Sequence, residues 1–259
     1  MNLIDTHCHL VHGRLCQQVS EVLQRASEAG VRGVIAATGD LQDSKASLHV
    51  AERFPGVWCM AGIHPHESAA APQGYLKVLE DLAARARNVA LGEIGLDYHY
   101  DYSPRDAQKR VFAEQLELTR RLGKPVVVHT REAFEDTMAI LRDSGVDAAK
   151  CVMHSFTGDA DQAKRILEWG AWISFSGIVT FRSADDVRDA ARITPDDRLL
   201  IETDAPFLSP EPVRKMRPNE PANVAHTARF LADLRGADPE ALGDRTTTNA
   251  VAFFGLDLA

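Results

Sequence analysis

Short runs rich in β-branched and aliphatic residues recur along the whole sequence, with longer amphipathic stretches between them. The runs cover residues 3–7, 33–37, 57–63, 89–94, 125–130, 151–154, 171–175 and 199–203. Helical periodicity covers 20–29, 74–87, 104–122, 131–143, 159–169 and 184–191, and two further stretches, 223–234 and 239–254, close the chain. Strand alternating with helix demands a parallel sheet, because each strand returns to the same end through a crossover. Near-continuous apolar runs such as Val126-Val127-Val128 suit strands buried on both faces. Gly30, Gly123 and Gly145 stand where glycines close helices, and Ser103-Pro104 reads as an N-cap followed by proline at the first helical position. Eight such units in 259 residues, with no Gly/Ser-rich or charge-rich linker, predict one (β/α)8 TIM barrel as a single domain over 1–259. An open doubly wound sheet is the alternative, but it wants a glycine-rich phosphate turn after its first strand. That turn here reads His7-Cys8-His9.

Composition narrows the class further. Hydrophobic residues make up 45% and charged residues 25%, which excludes a disordered or fibrous chain. The 37 acidic and 29 basic side chains give a net charge of −8, which argues against an indiscriminate grip on phosphate backbones. A nucleic-acid substrate stays open, because a metal centre adds positive charge that a residue count omits. No apolar run approaches the roughly 18 residues of a membrane span, and Asn2-Leu3-Ile4-Asp5-Thr6-His7 lacks the basic and apolar regions of a signal peptide. Cys8, Cys16, Cys59 and Cys151 form no C-x-x-C pair and read as reduced thiols. The expectation is a soluble cytoplasmic protein with no membrane association and no obligate protein partner.

Chemistry-bearing residues fall at the ends of the predicted strands. His7, His9, His64, His66, His129 and His154 all lie at or just past such ends, as do Glu93, Glu202 and Asp204. In a barrel these ends open on one face, where the active sites of the architecture lie. His7 and His9 are two apart in a strand, so they point the same way about 6.6 Å apart along the chain. Two imidazoles so placed can close on one ion, and the same alternation turns Cys8 away. Glu93 sits between glycines in an apolar strand, where a buried carboxylate is costly unless paired or metal-bound. Asp204 is carried from the core into the rigid turn before Pro206. Glu202 shares its side by alternation, one layer deeper, as a residue that orients a ligand from behind.

Leu3-Ile4-Asp5-Thr6-His7-Cys8-His9-Leu10, Ala61-Gly62-Ile63-His64-Pro65-His66, Gly92-Glu93-Ile94-Gly95-Leu96-Asp97-Tyr98, 125–131, His154-Ser155-Phe156-Thr157-Gly158 and Glu202-Thr203-Asp204-Ala205-Pro206 together resemble the motif series of the TatD-type metal-dependent hydrolases, a branch of the amidohydrolase-like barrels. The resemblance spans nearly the whole chain in order. It implies a binuclear centre, with His7, His9, Glu93 and Asp204 around one divalent ion and Glu93, His129 and His154 around the other. Two positions differ from the family pattern: Val11-His12 stands where an acidic residue is usual, and Met216 where the basic loop has glycine. The second difference bears on the geometry of the substrate loop.

The expected chemistry is hydrolysis by a metal-activated water, with Asp204 taking the proton and Glu93 at the metals. His64 or His66 would donate to a substrate oxygen or a leaving group. Arg131 either contacts substrate phosphate or pairs with Glu93 or Glu202. Imidazole-rich ligation suits zinc, manganese or iron, whereas the resemblance brings magnesium, so the ion stays open. Arg182, Arg214, Lys215 and Arg217 form a basic rim that fits a nucleic-acid or other phosphate-bearing substrate, and Phe175, Phe181 and Phe207 are the candidates for stacking on bases. The leading expectation is a 3′ exonuclease of DNA. The alternatives are an acyl-ester hydrolase, such as a D-aminoacyl-tRNA deacylase, and a non-catalytic metal-stabilised binding barrel.

Overall fold

In a computed structural model of the chain, which describes residues 1–258, the apolar runs become strands and the stretches between them helices. Among the described residues eight strands form one sheet whose spatial order follows chain order, the (β/α)8 barrel that the alternation predicts. They are β1 (Leu3–Cys8), β2 (Val31–Ala36), β3 (Val57–Ala61), β4 (Asn88–Asp97), β5 (Val126–Arg131), β6 (Cys151–Met153), β7 (Trp172–Phe175) and β8 (Leu199–Ile201). The α-helices are α1 (Val19–Glu28), α2 (Leu41–Arg53), α3 (Tyr75–Ala83), α4 (Arg105–Leu122), α5 (Phe134–Ser144), α6 (Ala160–Trp169), α7 (Asp185–Ile193), α8 (Val224–Arg235) and α9 (Pro239–Phe254). None of the helices among the described residues is long and apolar enough to cross a membrane.

Packing divides the chain into two compact units, one of residues 1–36 with 155 onward and one of residues 37–154. In the first unit β1 pairs with β2 and β7 with β8, all parallel. The segment after β8 is laced to the end of β1: Asp204 N–H donates to His7 O at 2.9 Å and His9 N–H donates to Ala205 O at 2.7 Å. Residues 7, 9 and 204 are therefore brought together by backbone bonds before any side chain is considered.

In the second unit β3, β4, β5 and β6 pair in parallel, and β4 is buried along its whole length. Gly95 permits the tightest approach in this set. Its φ is +148°, and a Cβ there would stand 1.9 Å from the carbonyl oxygen of His129. Gly95→Ala is expected to push β5 away at His129 and destabilise the fold by about 3 kcal/mol or more, from overpacking and backbone strain together. A urea midpoint equal to that of the parent protein would show that the strands do not approach so closely.

Four sequence expectations need correction. Helix α2 was not foreseen: it buries Ser44, Ser47, Leu48 and Ala51, a small and partly polar face with little apolar periodicity, although Asp40 caps it by accepting from Asp43 N–H at 2.8 Å. Ser103 does not cap α4; its Oγ donates to His66 O at 2.7 Å and accepts from Ala69 N–H at 3.0 Å, holding the short turn that carries His66. β5 continues to Arg131, so α5 starts only at Phe134. β8 ends at Ile201, which leaves Glu202 and Asp204 in the following loop, outside strand alternation.

Candidate metal centre

In the first unit His7 Nε2 lies 3.4 Å from His9 Nε2, and Asp204 Oδ1 lies 3.7 and 3.5 Å from those two nitrogens. Donor atoms about 2.1 Å from one tetrahedral ion stand about 3.4 Å apart, so this triplet already has the spread of three ligands around a single cation. Asp204 adopts φ +54°, a left-handed conformation that costs energy in a non-glycine residue and gathers at functional positions. Beneath the pair, buried Asp5 accepts from Thr203 N–H at 2.8 Å and Thr203 Oγ1 at 2.6 Å, fastening the β8 loop to β1. Burial outweighs those bonds and pushes Asp5 up to about 8. Cys8 is fully buried. Glu202 is buried too, and accepts from Ser155 N–H at 2.7 Å and Ser174 Oγ at 2.6 Å.

In the second unit Glu93 gathers three imidazoles. Its Oε1 lies 2.6 Å from His129 Nδ1, 2.7 Å from His154 Nε2 and 3.4 Å from His64 Nε2. His129 Nδ1 and His154 Nε2 are themselves 3.4 Å apart. Asp97, at the end of β4, sets the orientation of His129: its Oδ2 accepts from His129 Nε2 at 3.2 Å and from His66 Nε2 at 2.9 Å. A proton held at Nε2 leaves Nδ1 as the nitrogen available to an ion, the carboxylate–histidine arrangement common behind metal ligands. Asp97 was not singled out from the sequence, although residues 93, 95 and 97 share one side of a strand and the signal was there to read.

Electrostatics separate the roles of the histidines. Burial raises Asp97 on its own, but hydrogen bonds from His129, His66 and Tyr100 N–H hold its carboxyl well below the usual carboxylate range. Burial lowers His129, yet its bonds to Asp97 and Glu93 prevail and leave it raised, so metal uptake competes with a proton at this ring. Burial pulls His64 down to about 4 despite Glu93 nearby, so it is neutral at pH 7. His66 N–H donates to His64 Nδ1 at 3.2 Å, which places the ring's proton on Nε2, toward Glu93. His64 is thereby a neutral hydrogen-bond donor at this cluster, in which His64, Glu93 and His129 offer donor atoms within 4.8 Å of one another.

The remaining expected site residues lie at the surface. Arg131 packs its guanidinium over Tyr100, 4.8 Å from the ring centroid. Lys215 is exposed, and Arg217 Nη1 donates to Ser209 Oγ at 3.1 Å. Arg214 covers the Phe181 ring at 3.7 Å. Met216 is 40% exposed, and its sulfur accepts from Asn223 Nδ2 at 3.5 Å. His12 tilts against Phe207, ring centroids 5.5 Å apart.

A family description of TatD-related DNases matches residues 4–255. The chain belongs to the TatD family. It is 40% identical over 260 residues to a protein of Escherichia coli K12 named uncharacterized metal-dependent hydrolase YcfH, covering 99% of this chain and 97% of the relative. It is 34% identical over 261 residues to a protein of Citrobacter rodentium named 3′-5′ ssDNA/RNA exonuclease TatD, covering 99% of each. Among solved structures, YjjV, a TatD homologue from E. coli K12, superposes with a TM-score of 0.93 at 29% identity, over 98% of each chain. As a TatD-family member the protein is a metal-dependent hydrolase, and its His/Glu/Asp clusters are able to hold metal ions. Their imidazole and carboxylate donors, without a thiolate, fit a divalent ion of the zinc, manganese or iron kind.

Proposed function

We propose that this TatD-family hydrolase is a cytoplasmic 3′ exonuclease that cleaves phosphodiester bonds of single-stranded or 3′-recessed DNA. It would use two divalent ions, one held by His7, His9 and Asp204 and the other by Glu93, His129 and His154. The observation that carries the reading is the ion-sized triplet of His7, His9 and Asp204, which ends in a carboxylate able to take a proton. The name of the Citrobacter relative supports the substrate class.

Bound ions supply Lewis acidity, polarising a phosphoryl oxygen and lowering the pKa of a water toward about 7. The protein supplies the rest. Asp204 orients the attacking water and accepts its proton. His64 donates its Nε2 hydrogen to a substrate oxygen as charge develops there, and its neutral state suits donation of a hydrogen bond better than transfer of a proton. Glu202, held by Ser155 and Ser174, is a rigid buried carboxylate that orients a neighbouring ligand. His66, Arg131, Lys215 and Arg217 bind substrate.

The test is metal content of the purified protein paired with nucleotide release from 3′-labelled single-stranded DNA in magnesium, manganese or zinc. About two bound ions with metal-dependent release is the expected result. Two ions without release from DNA would overturn the nuclease reading in favour of an acyl ester such as an aminoacyl-tRNA. If the basic loop reads phosphate, replacing Lys215 and Arg217 by Gln is expected to raise KM for DNA and flatten its salt dependence. An unchanged KM and salt slope would remove that role.

A further inference from the structure

The loop after β4 carries two tyrosines that the fold leaves uncovered. Tyr100 is 46% exposed and Tyr102, at 68%, is the most exposed large apolar side chain among the described residues. Their rings stack on each other at 5.2 Å with planes only 21° apart. Uncovered aromatic surface of this size costs solvation, so its retention beside a metal centre needs a reason.

The exposure does not come from a loose loop. His99 N–H and Tyr100 N–H both donate to Asp97 Oδ1, at 3.0 and 2.8 Å. Arg105 closes the far side of the turn with a forked pair to Asp101 at 2.8 to 3.2 Å and lies over the Tyr98 ring at 4.1 Å. The stack is thus anchored by the carboxylate that orients His129. It reaches the centre through His66: the His66 ring meets Tyr102 edge-on at 4.7 Å and Tyr100 at 5.5 Å, while His66 Nε2 bonds Asp97 at 2.9 Å. One side chain separates the aromatic surface from a metal ligand.

We infer that Tyr100 and Tyr102 form a base-stacking platform, on which a nucleobase of the strand being hydrolysed rests while Arg131 meets an adjacent phosphate. A flat π-face held rigidly, with a guanidinium against it and metal donors alongside, has the three features by which proteins grip single-stranded nucleic acid without reading its sequence. Of the phenylalanines expected to stack, Phe175 is fully buried and the Phe181 ring lies under Arg214, while Phe207, 48% exposed, is a single ring set against His9 and His12. Within the tyrosine pair Arg131 lies over Tyr100, so Tyr102 offers the open face. The inference rests on the nucleic-acid reading above and adds which surface receives the base.

The experiment uses a single-stranded oligonucleotide with 2-aminopurine near its 3′ end, whose fluorescence falls when the base stacks. Binding is measured with manganese, on a strand whose 3′ linkages are phosphorothioates that resist hydrolysis, for the parent protein, Tyr102→Ala, Tyr102→Trp and Tyr100→Ala. Quenching in the parent protein, its loss with about tenfold weaker binding in Tyr102→Ala, and its return in Tyr102→Trp are expected. An oligonucleotide with abasic residues at the same positions should bind the parent protein as weakly as the normal strand binds Tyr102→Ala. Absence of quenching in the parent protein, or equal affinity of the parent and Tyr102→Ala for the normal strand, would overturn the platform. Failure of the nuclease reading would show separately, as a parent protein that releases no nucleotide whatever its quenching.

Discussion

Asp204→Asn is expected to lower the rate of hydrolysis by about 10²- to 10⁴-fold, the contribution of a well-placed proton acceptor. Asparagine keeps the size of the side chain and one oxygen for an ion, but it cannot take a proton from water. It also tolerates the left-handed backbone at φ +54°, and the bonds from Asp204 N–H to His7 O and from Phe207 N–H to Asp204 O remain. The thermal midpoint should therefore stay within a few degrees of the parent value, and the ion proposed for the Glu93 cluster should still be retained. Activity close to that of the parent protein would refute the role given to Asp204.

The second large effect belongs to Asp97. Asp97→Ala removes the acceptor for His129 Nε2 and His66 Nε2 at once, and strips the anchor from the His99–Tyr100 turn. Freed of that constraint, His129 no longer presents Nδ1 alone, and affinity for the ion in the Glu93 cluster is expected to fall about 10- to 100-fold. Competition with a graded chelator measures this directly. Gln108 still pairs with the Asp97 backbone on both sides, at 2.8 and 3.1 Å, so β4 should keep its end. Asp97→Asn retains one acceptor oxygen and should fall between the two. Unchanged ion affinity in Asp97→Ala would mean that His129 is oriented by other contacts.

The parts of this protein that were legible early are those governed by neighbours in sequence. Strand and helix alternation, the apolar runs, the His7–His9 pair and the turning of Cys8 away from it all follow from local periodicity, and together they imply the barrel. The histidines and carboxylates at strand ends were legible for the same reason, because the architecture turns position along a strand into position on a face. Asp97 is equally accessible by that rule, two alternations beyond Glu93. Helix α2 was hidden because its buried face includes two serines, and amphipathic periodicity records apolar contrast rather than burial itself.

What only the tertiary structure decided is how side chains remote in sequence settle one another. Which nitrogen of His64 carries its proton depends on the turn at His66, and which nitrogen of His129 faces Glu93 depends on Asp97, 32 residues away. Glu202 was placed beside Asp204 by alternation, yet β8 stops at Ile201 and Glu202 turns to Ser155 and Ser174 instead. Arg131 had three prospective partners and rests on Tyr100. Residue type and local period determined where ligands stand on the barrel, because backbone geometry repeats. Tautomer, ion-pair partner and ring stacking were left to the fold, because each is a competition among groups that only the folded chain brings within reach.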